Sequence, residues 1–310
     1  MQGTRRTVSA ALGLALAVSL FGGVNVAQAA PPSATTVYDA IPSPLPPNMA
    51  SVGFQATQTS EFGDHVKLAG KDRILNTVTV TMSDWALFSD YSSDTRYSGN
   101  ATTWTHPITL NVYSSQLDAN GVPDQLLASK TENVTIPWRP AADPTCAGGT
   151  AWRAGDGACY NGIAFNAVFD LSSLSVTLPD DVIVGIAYNT QTYGSAPMDA
   201  PGPYNSLNVG VEGVATVGTD NNTDNVFWNT SFAGFYADGG AAGVGIFRED
   251  TNWAPNGTVA LKITASPALV GPPTSKCMKG GWVTFNNPSF KNQGDCVSFV
   301  ATGGKNTANG

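Results

Sequence analysis

The residues best suited to chemistry lie in one short stretch, Arg248-Glu249-Asp250-Thr251-Asn252-Trp253, which combines charges, an amide and an aromatic ring. Carboxylates and amides hydrogen-bond sugar hydroxyls, and sugar rings stack on aromatic faces. We therefore predict glycan contacts from the side chains of Arg248, Glu249, Asp250, Asn252 and Trp253. The alternative interpretation is a polar loop in which Trp253 packs on the protein body and Arg248 pairs with a surface acid.

Catalysis by carboxylates would have few residues to use. Glycoside hydrolysis needs two carboxylic acids flanking the scissile bond, and the chain has four glutamates, at positions 61, 132, 212 and 249. Glu249 and Glu61 are the candidates for such a mechanism. The Glu-x-Asp-x-Glu pattern of one large β-sandwich glycanase group does not occur. We therefore assign no catalytic residue and favour a protein that is not an enzyme.

Histidine chemistry has little support either, because the only histidines are His65 and His106. A Ser-His-Asp site needs a histidine beside an activated serine, and no Gly-x-Ser-x-Gly elbow occurs. The chain also lacks a His-Glu-x-x-His motif and a phosphate-binding glycine loop. Each histidine stands at the start of a β-rich run, so we expect both to face solvent or lie at an edge.

Two loops carry oxygen ligands at spacings somewhat like those of a calcium loop. Asp118, Asn120 and Asp124 lie in the first, and the second spans residues 220–225. Neither loop has the full Asp-x-Asp-x-Asp-Gly…Glu series, and an Asn-Gly turn explains the first without metal. We predict no metal site and no cofactor, with structural calcium as the alternative.

Cysteine usage predicts two disulfides, because four cysteines in an exported chain pair with one another. Three pairings are possible, and we prefer the local ones, Cys146 with Cys159 and Cys277 with Cys296. Zinc is the competing interpretation, but no Cys-x-x-Cys pair and no nearby histidine support it.

Export is predicted from the first residues. Arg5 and Arg6 precede an apolar run and then Ala27-Gln28-Ala29, the pattern of a secretory signal peptide over 1–29 cleaved near Ala29. Later segments offer no long apolar stretch, so we expect a secreted protein with no transmembrane anchor.

The net charge of the chain limits which partners it can bind. Loss of the two signal arginines takes the formal charge from −8 to −10. Residues 276–310 carry four lysines against one aspartate, a net of +3, which leaves about −13 on the preceding body. So acidic a body excludes nucleic acid as a partner. The basic tail is suited to an anionic cell-wall polymer, although four lysines could equally serve solubility.

Alternating apolar residues predict the elements that must position these side chains. Ile108, Leu110 and Val112 alternate with Thr109, Asn111 and Tyr113, a half-buried strand. The other strand signals are Val78–Met82, Ile163–Leu171, Val182–Tyr188, Leu207–Val211 and Val259–Ile263, of which 182–188 is apolar on both faces and so central. No convincing amphipathic helix follows the signal, so we predict an all-β, antiparallel two-sheet sandwich of jelly-roll type.

Composition divides the chain further. We predict a Pro-rich extended segment over 30–50, the β-sandwich domain over 51–266, a linker over 267–275 and a small Cys-bounded C-terminal module over 276–310.

Two regions resemble known secreted proteins. Cys277-Met278-Lys279-Gly280-Gly281-Trp282, followed by Phe290-Lys291-Asn292-Gln293-Gly294-Asp295-Cys296-Val297, resembles a short C-terminal motif of secreted actinobacterial proteins. The start of the body, from Val37-Tyr38-Asp39 to Glu61-Phe62-Gly63-Asp64, is similar to secreted bacterial β-sandwich proteins without an assigned activity. The resemblance implies fold and location, and it implies no catalytic residues.

These observations favour a secreted, non-catalytic extracellular or envelope-associated protein that binds a glycan or wall polymer. One alternative is a polysaccharide hydrolase that uses a carboxylate pair. Another is a purely structural surface or matrix protein, which would bind no small sugar.

Overall fold

The chain folds as an antiparallel two-sheet β-sandwich, as the sequence predicts. The computed structural model describes residues 34–195, 198–267, 274–285, 288–301 and 306. The predicted signal peptide, its cleavage near Ala29 and most of the predicted linker lie outside these residues.

Fifteen strands and three short α-helices make up the described chain. The strands are β1 Thr35–Asp39, β2 Ser51–Gly53, β3 Thr59–Lys67, β4 Ile74–Asp84, β5 Thr103–Ser114, β6 Leu126–Pro137, β7 Trp152–Arg153, β8 Cys159–Tyr160, β9 Ile163–Asp170, β10 Asp181–Ala187, β11 Leu207–Gly210, β12 Thr219–Asp220, β13 Val226–Thr230, β14 Arg248–Asp250 and β15 Leu261–Ser266. The helices are α1 Phe88–Tyr91, α2 Thr274–Cys277 and α3 Gln293–Ala301.

The strands form two main sheets. One is six-stranded, ordered β1-β15-β4-β11-β2 with β9 also paired to β4. The other is seven-stranded, ordered β14-β13-β3-β10-β5-β6 with β12 also paired to β3. Strand β10 lies between β3 and β5, which confirms that the run apolar on both faces is central.

Period-two alternation explains which side chains form the core. Val78, Val80 and Met82 of β4 are fully buried and meet Leu110 and Val184 of the opposite sheet in one cluster. Removal of this apolar surface from water, at about 25 cal/mol per Å², is the main stabilising contribution to the sandwich.

The N-terminal part of the Pro-rich segment belongs to the sandwich. Strand β1 pairs with β15, and the Tyr38 side chain is fully buried in the core. The following chain crosses the six-stranded sheet, where the Pro47 carbonyl accepts from the Ala164 amide at 2.9 Å. The sandwich therefore begins at Thr35 rather than at the predicted residue 51.

The histidines correct one expectation. His106 is only 4% exposed, because it lies inside β5 on the same buried face as Trp104 and Ile108. Its ring stacks on Tyr204 with centroids 4.9 Å apart, and burial lowers its pKa. His65 is half-buried within β3. The prediction is wrong for His106 because β5 begins at Thr103 and not at the His106-Pro107 junction.

Both disulfides have the local pairing, Cys146 with Cys159 and Cys277 with Cys296. The first closes a loop that contains the β7–β8 hairpin. The second lies in a small cluster of its own with Phe290 and Phe299. In the part of the chain that the structure describes, no helix is long and apolar enough to cross a membrane.

Candidate ligand-binding groove

The stretch predicted to contact glycans holds a loop in place. Arg248 of edge strand β14 is only 3% exposed. Its guanidinium donates to Asp238 at 2.8 Å and lies 3.9 Å from the Tyr236 ring centroid. Asp250 accepts from the Ala237 amide at 2.9 Å and from Trp253 Nε1 at 3.0 Å. These contacts fix the 231–247 loop, which connects β13 to β14.

The other members of the stretch point elsewhere. Glu249 accepts from Asn225 Nδ2 at 2.7 Å. Asn252 is exposed in a left-handed conformation at φ +67°. The half-buried Trp253 ring packs edge-on against Trp228, with centroids 4.7 Å apart. The structure therefore engages Arg248, Asp250 and Trp253 in contacts within the protein and does not gather the stretch around an open site.

The calcium candidates form a turn. Asp118 Oδ1 accepts from the amides of Asn120 and Val122, at 2.8 and 2.9 Å. Asp124 accepts from the Ser114 hydroxyl. Within the described residues, no group of three or more His, Cys, Asp or Glu side chains could hold a metal ion.

A groove of about 590 Å³ lies on the outer face of the seven-stranded sheet. Five strands supply its floor, through Glu61 of β3, Ala187 of β10, Thr109 and Asn111 of β5, Thr131 of β6 and Asn229 of β13. These residues alternate with core residues such as Phe62 and Leu110, so their side chains point away from the core. The loop after β10, including Tyr193, forms one wall.

Glu61 is the charged centre of the groove. Its Oε1 accepts hydrogen bonds from Asn111 Nδ2 and from the Tyr113 hydroxyl, both at 2.9 Å. Within the described chain, Oε2 accepts no hydrogen bond. Burial raises the pKa of the Glu61 carboxyl, and the two hydrogen bonds offset part of that rise. The carboxyl is therefore held in one orientation with an acceptor left over.

Strand β10 makes this geometry possible because it has no side chain at Gly185. Gly185 pairs with Asn111 on one side and with Gly63 on the other, so it lies between the carboxylate and its amide partner. A Cβ built on Gly185 would be 2.2 Å from Glu61 Oε1 and 3.0 Å from the Phe247 ring. Glycine lets both side chains lie directly on the sheet.

The chemistry of the groove follows from its polar groups. Among the described residues that line it, Glu61 is the only charged side chain, and the other polar groups of the floor are amides and hydroxyls. These groups can donate and accept hydrogen bonds but supply no second carboxylate and no cation.

The sequence predicts Asn111 and Tyr113 on the polar face of a strand and offers Glu61 as one of four glutamates, but it does not predict that these side chains meet. The feature of the sequence that points to the groove is the row of polar residues at the outward positions of β5. Comparisons with family models, curated proteins and solved structures found no match to this chain.

Proposed function

We propose that this chain is an extracellular, non-catalytic β-sandwich that binds a glycan in the Glu61 groove. The observation that carries the proposal is the Glu61 carboxylate, fixed by Asn111 and Tyr113 on a floor of hydroxyl and amide groups. The two disulfides are compatible with an oxidising extracellular environment.

A sugar suits these groups because each hydroxyl both donates and accepts. Glu61 Oε2 offers an acceptor, while Asn229 and Thr131 offer groups of both kinds along the floor. Hydrogen bonds to a charged acceptor contribute about 1.5–3 kcal/mol each. One fixed carboxylate among neutral groups can therefore set the orientation of a sugar ring.

Binding is favoured over hydrolysis by the number of acids. Both stereochemical routes of glycoside hydrolysis use two carboxyl groups, roughly 5 to 9.5 Å apart. The described lining residues of the groove provide one. Glu249, the other catalytic candidate, accepts from Asn225 beside edge strand β14 and does not line the groove.

The test is retention of the protein on a panel of immobilised plant and cell-wall polysaccharides, followed by calorimetry on any polymer that retains it. Glu61→Gln replaces the free acceptor with a donor and should lower affinity about 10- to 100-fold. Glu132→Gln is the matched control, because Glu132 on β6 pairs with Lys130 at 3.1 Å and lies outside the groove lining. Failure of every polymer to retain the protein, or unchanged binding by Glu61→Gln, would contradict the proposal.

A further inference from the structure

Exposed apolar side chains on the 231–247 loop lie next along the chain to residues that line the groove. Phe232 is 50% exposed and Phe235 is 38% exposed, with ring centroids 5.1 Å apart. Val244 and Ile246 are exposed on the returning part of the same loop. We call these four residues the apolar shoulder.

The shoulder is continuous with the groove along the chain. Ser231 and Gly245 both line the groove. Phe232 follows Ser231 directly, and Gly245 lies between Val244 and Ile246. The Ser231 amide donates to the Gln58 carbonyl at 2.9 Å, which ties the start of the shoulder to the groove wall.

The shoulder is fixed before any ligand arrives. Asp238 accepts from the amides of Gly240 and Ala242, at 2.8 and 3.0 Å, and from Arg248 at 2.8 Å. Below the shoulder, the Phe235 ring packs on the buried Trp228 ring, with centroids 5.9 Å apart. A surface held in this way loses little conformational entropy when it is covered.

The charge of the groove lining limits which class of ligand can bind there. The described groove lining has one carboxylate and no lysine, arginine or histidine. An anionic polymer would place its charges against Glu61 without a compensating cation, which costs binding free energy. A neutral sugar chain avoids this repulsion, and it can also lay the apolar face of a pyranose ring on Phe232.

We propose that the groove and the apolar shoulder form one extended site for a neutral polysaccharide, with one sugar held at Glu61 and a later ring stacked on Phe232 and Phe235. This inference rests on the proposed function and adds to it the charge class of the ligand and the need for more than one sugar ring. Arg248 is buried and holds the loop of this site in place through Asp238.

The test uses the full chain and neutral oligosaccharides of glucose, xylose, mannose and N-acetylglucosamine, from the monosaccharide to the hexasaccharide. Affinity for the sugar that binds should rise on the order of tenfold with length as the shoulder is covered. Phe232→Ala and Phe235→Ala should lower affinity for the long oligosaccharide on the order of tenfold and leave the monosaccharide unchanged, whereas Glu61→Gln should weaken both. Phe232→Tyr should retain the long-chain affinity.

Val168→Ala is the matched control, because Val168 is an exposed apolar residue on β9 of the other sheet. Oligogalacturonates of the same lengths should bind more weakly than the neutral chains. Equal binding of neutral and anionic chains, or wild-type affinity for long chains in both alanine variants, overturns the extended neutral site while leaving binding at Glu61 intact. Absence of any oligosaccharide binding overturns both proposals.

Discussion

Gly185, which has no side chain, shapes the groove as much as the polar residues do. Glu61 and Asn111 lie on strands separated by β10, and any side chain at Gly185 would project between them. The Glu61 carboxyl can therefore reach Asn111 and Tyr113 only across a glycine. Gly185 contributes to the groove by leaving room for the Glu61 side chain.

Gly185→Ala should displace the Glu61 carboxyl, because the new Cβ would lie 2.2 Å from Oε1. We expect glycan affinity to fall as far as in Glu61→Gln and the free energy of unfolding to drop by about 1–3 kcal/mol from overpacking. Calorimetric titration and urea denaturation measure the two effects. Gly155→Ala is the control, since no atom lies within 4 Å of its added Cβ. Full affinity in Gly185→Ala would show that Glu61 does not need its present position.

At the level of elements, the sequence predicts strands better than it predicts their neighbours. Period-two alternation identifies β4, β5 and β9 because each has one apolar and one polar face. It cannot show that Glu61 lies beside Asn111, since that depends on the registers of β3 and β5 with β10. Ile183 and Phe227 depart from the alternation, because they are apolar although they lie on the outer face. Phe247 from the 231–247 loop covers both of them, and the sequence does not reveal that cover.

The Arg248–Trp253 stretch is a second case in which the sequence does not predict spatial neighbours. Its residue types suit sugar binding, and nothing in the local pattern distinguishes a binding loop from an anchored edge strand. Arg248 donates to Asp238, ten residues earlier in the chain. The sequence does not specify the path of the loop that brings the two together. A cluster of charges with an aromatic ring therefore does not by itself distinguish contacts with a glycan from contacts within the protein.

The first disulfide stabilises an element that has a limited core of its own. The β7–β8 hairpin has two residue pairs, and its main anchor is Trp152 Nε1, which donates to the Gly162 carbonyl at 2.7 Å. The paired variant Cys146→Ser with Cys159→Ser should lose roughly 3 kcal/mol of unfolding free energy, from the loop entropy of the unfolded chain. Urea denaturation measures this loss. Glycan affinity should be unchanged, because residues 147–158 do not line the groove.

The paired variant Cys277→Ser with Cys296→Ser is the comparison. Those cysteines pack in a cluster with Phe290 and Phe299, separate from the sandwich core. The main unfolding transition should therefore be the same as in the wild type. A main transition lowered equally by both pairs would contradict this assignment of the two bridges to separate elements.

The whole molecule combines an acidic chain with acids buried inside the sandwich. Asp84 lies at the end of β4 and accepts from Trp104 Nε1 at 3.0 Å and from the Ala86 amide at 3.1 Å. Asp64 lies in the core, and burial together with the nearby Asp220 raises its pKa well above the usual range. Both acids make the folded chain hold protons that the unfolded chain releases.

Asp84 therefore links global stability to pH. Burial raises the pKa of its carboxyl from 3.8 to about 8, so its stabilising contribution is complete below about pH 4 and is lost as the pH rises through 8. Relative to Asp84→Asn, the wild type should lose up to about 1.4 kcal/mol of unfolding free energy per pH unit across this window. Urea denaturation at a series of pH values measures the difference. Asp199→Asn, at an exposed position, should give a curve parallel to the wild type. A curve for Asp84→Asn that is also parallel would mean that Asp84 is ionised in the folded protein throughout this range.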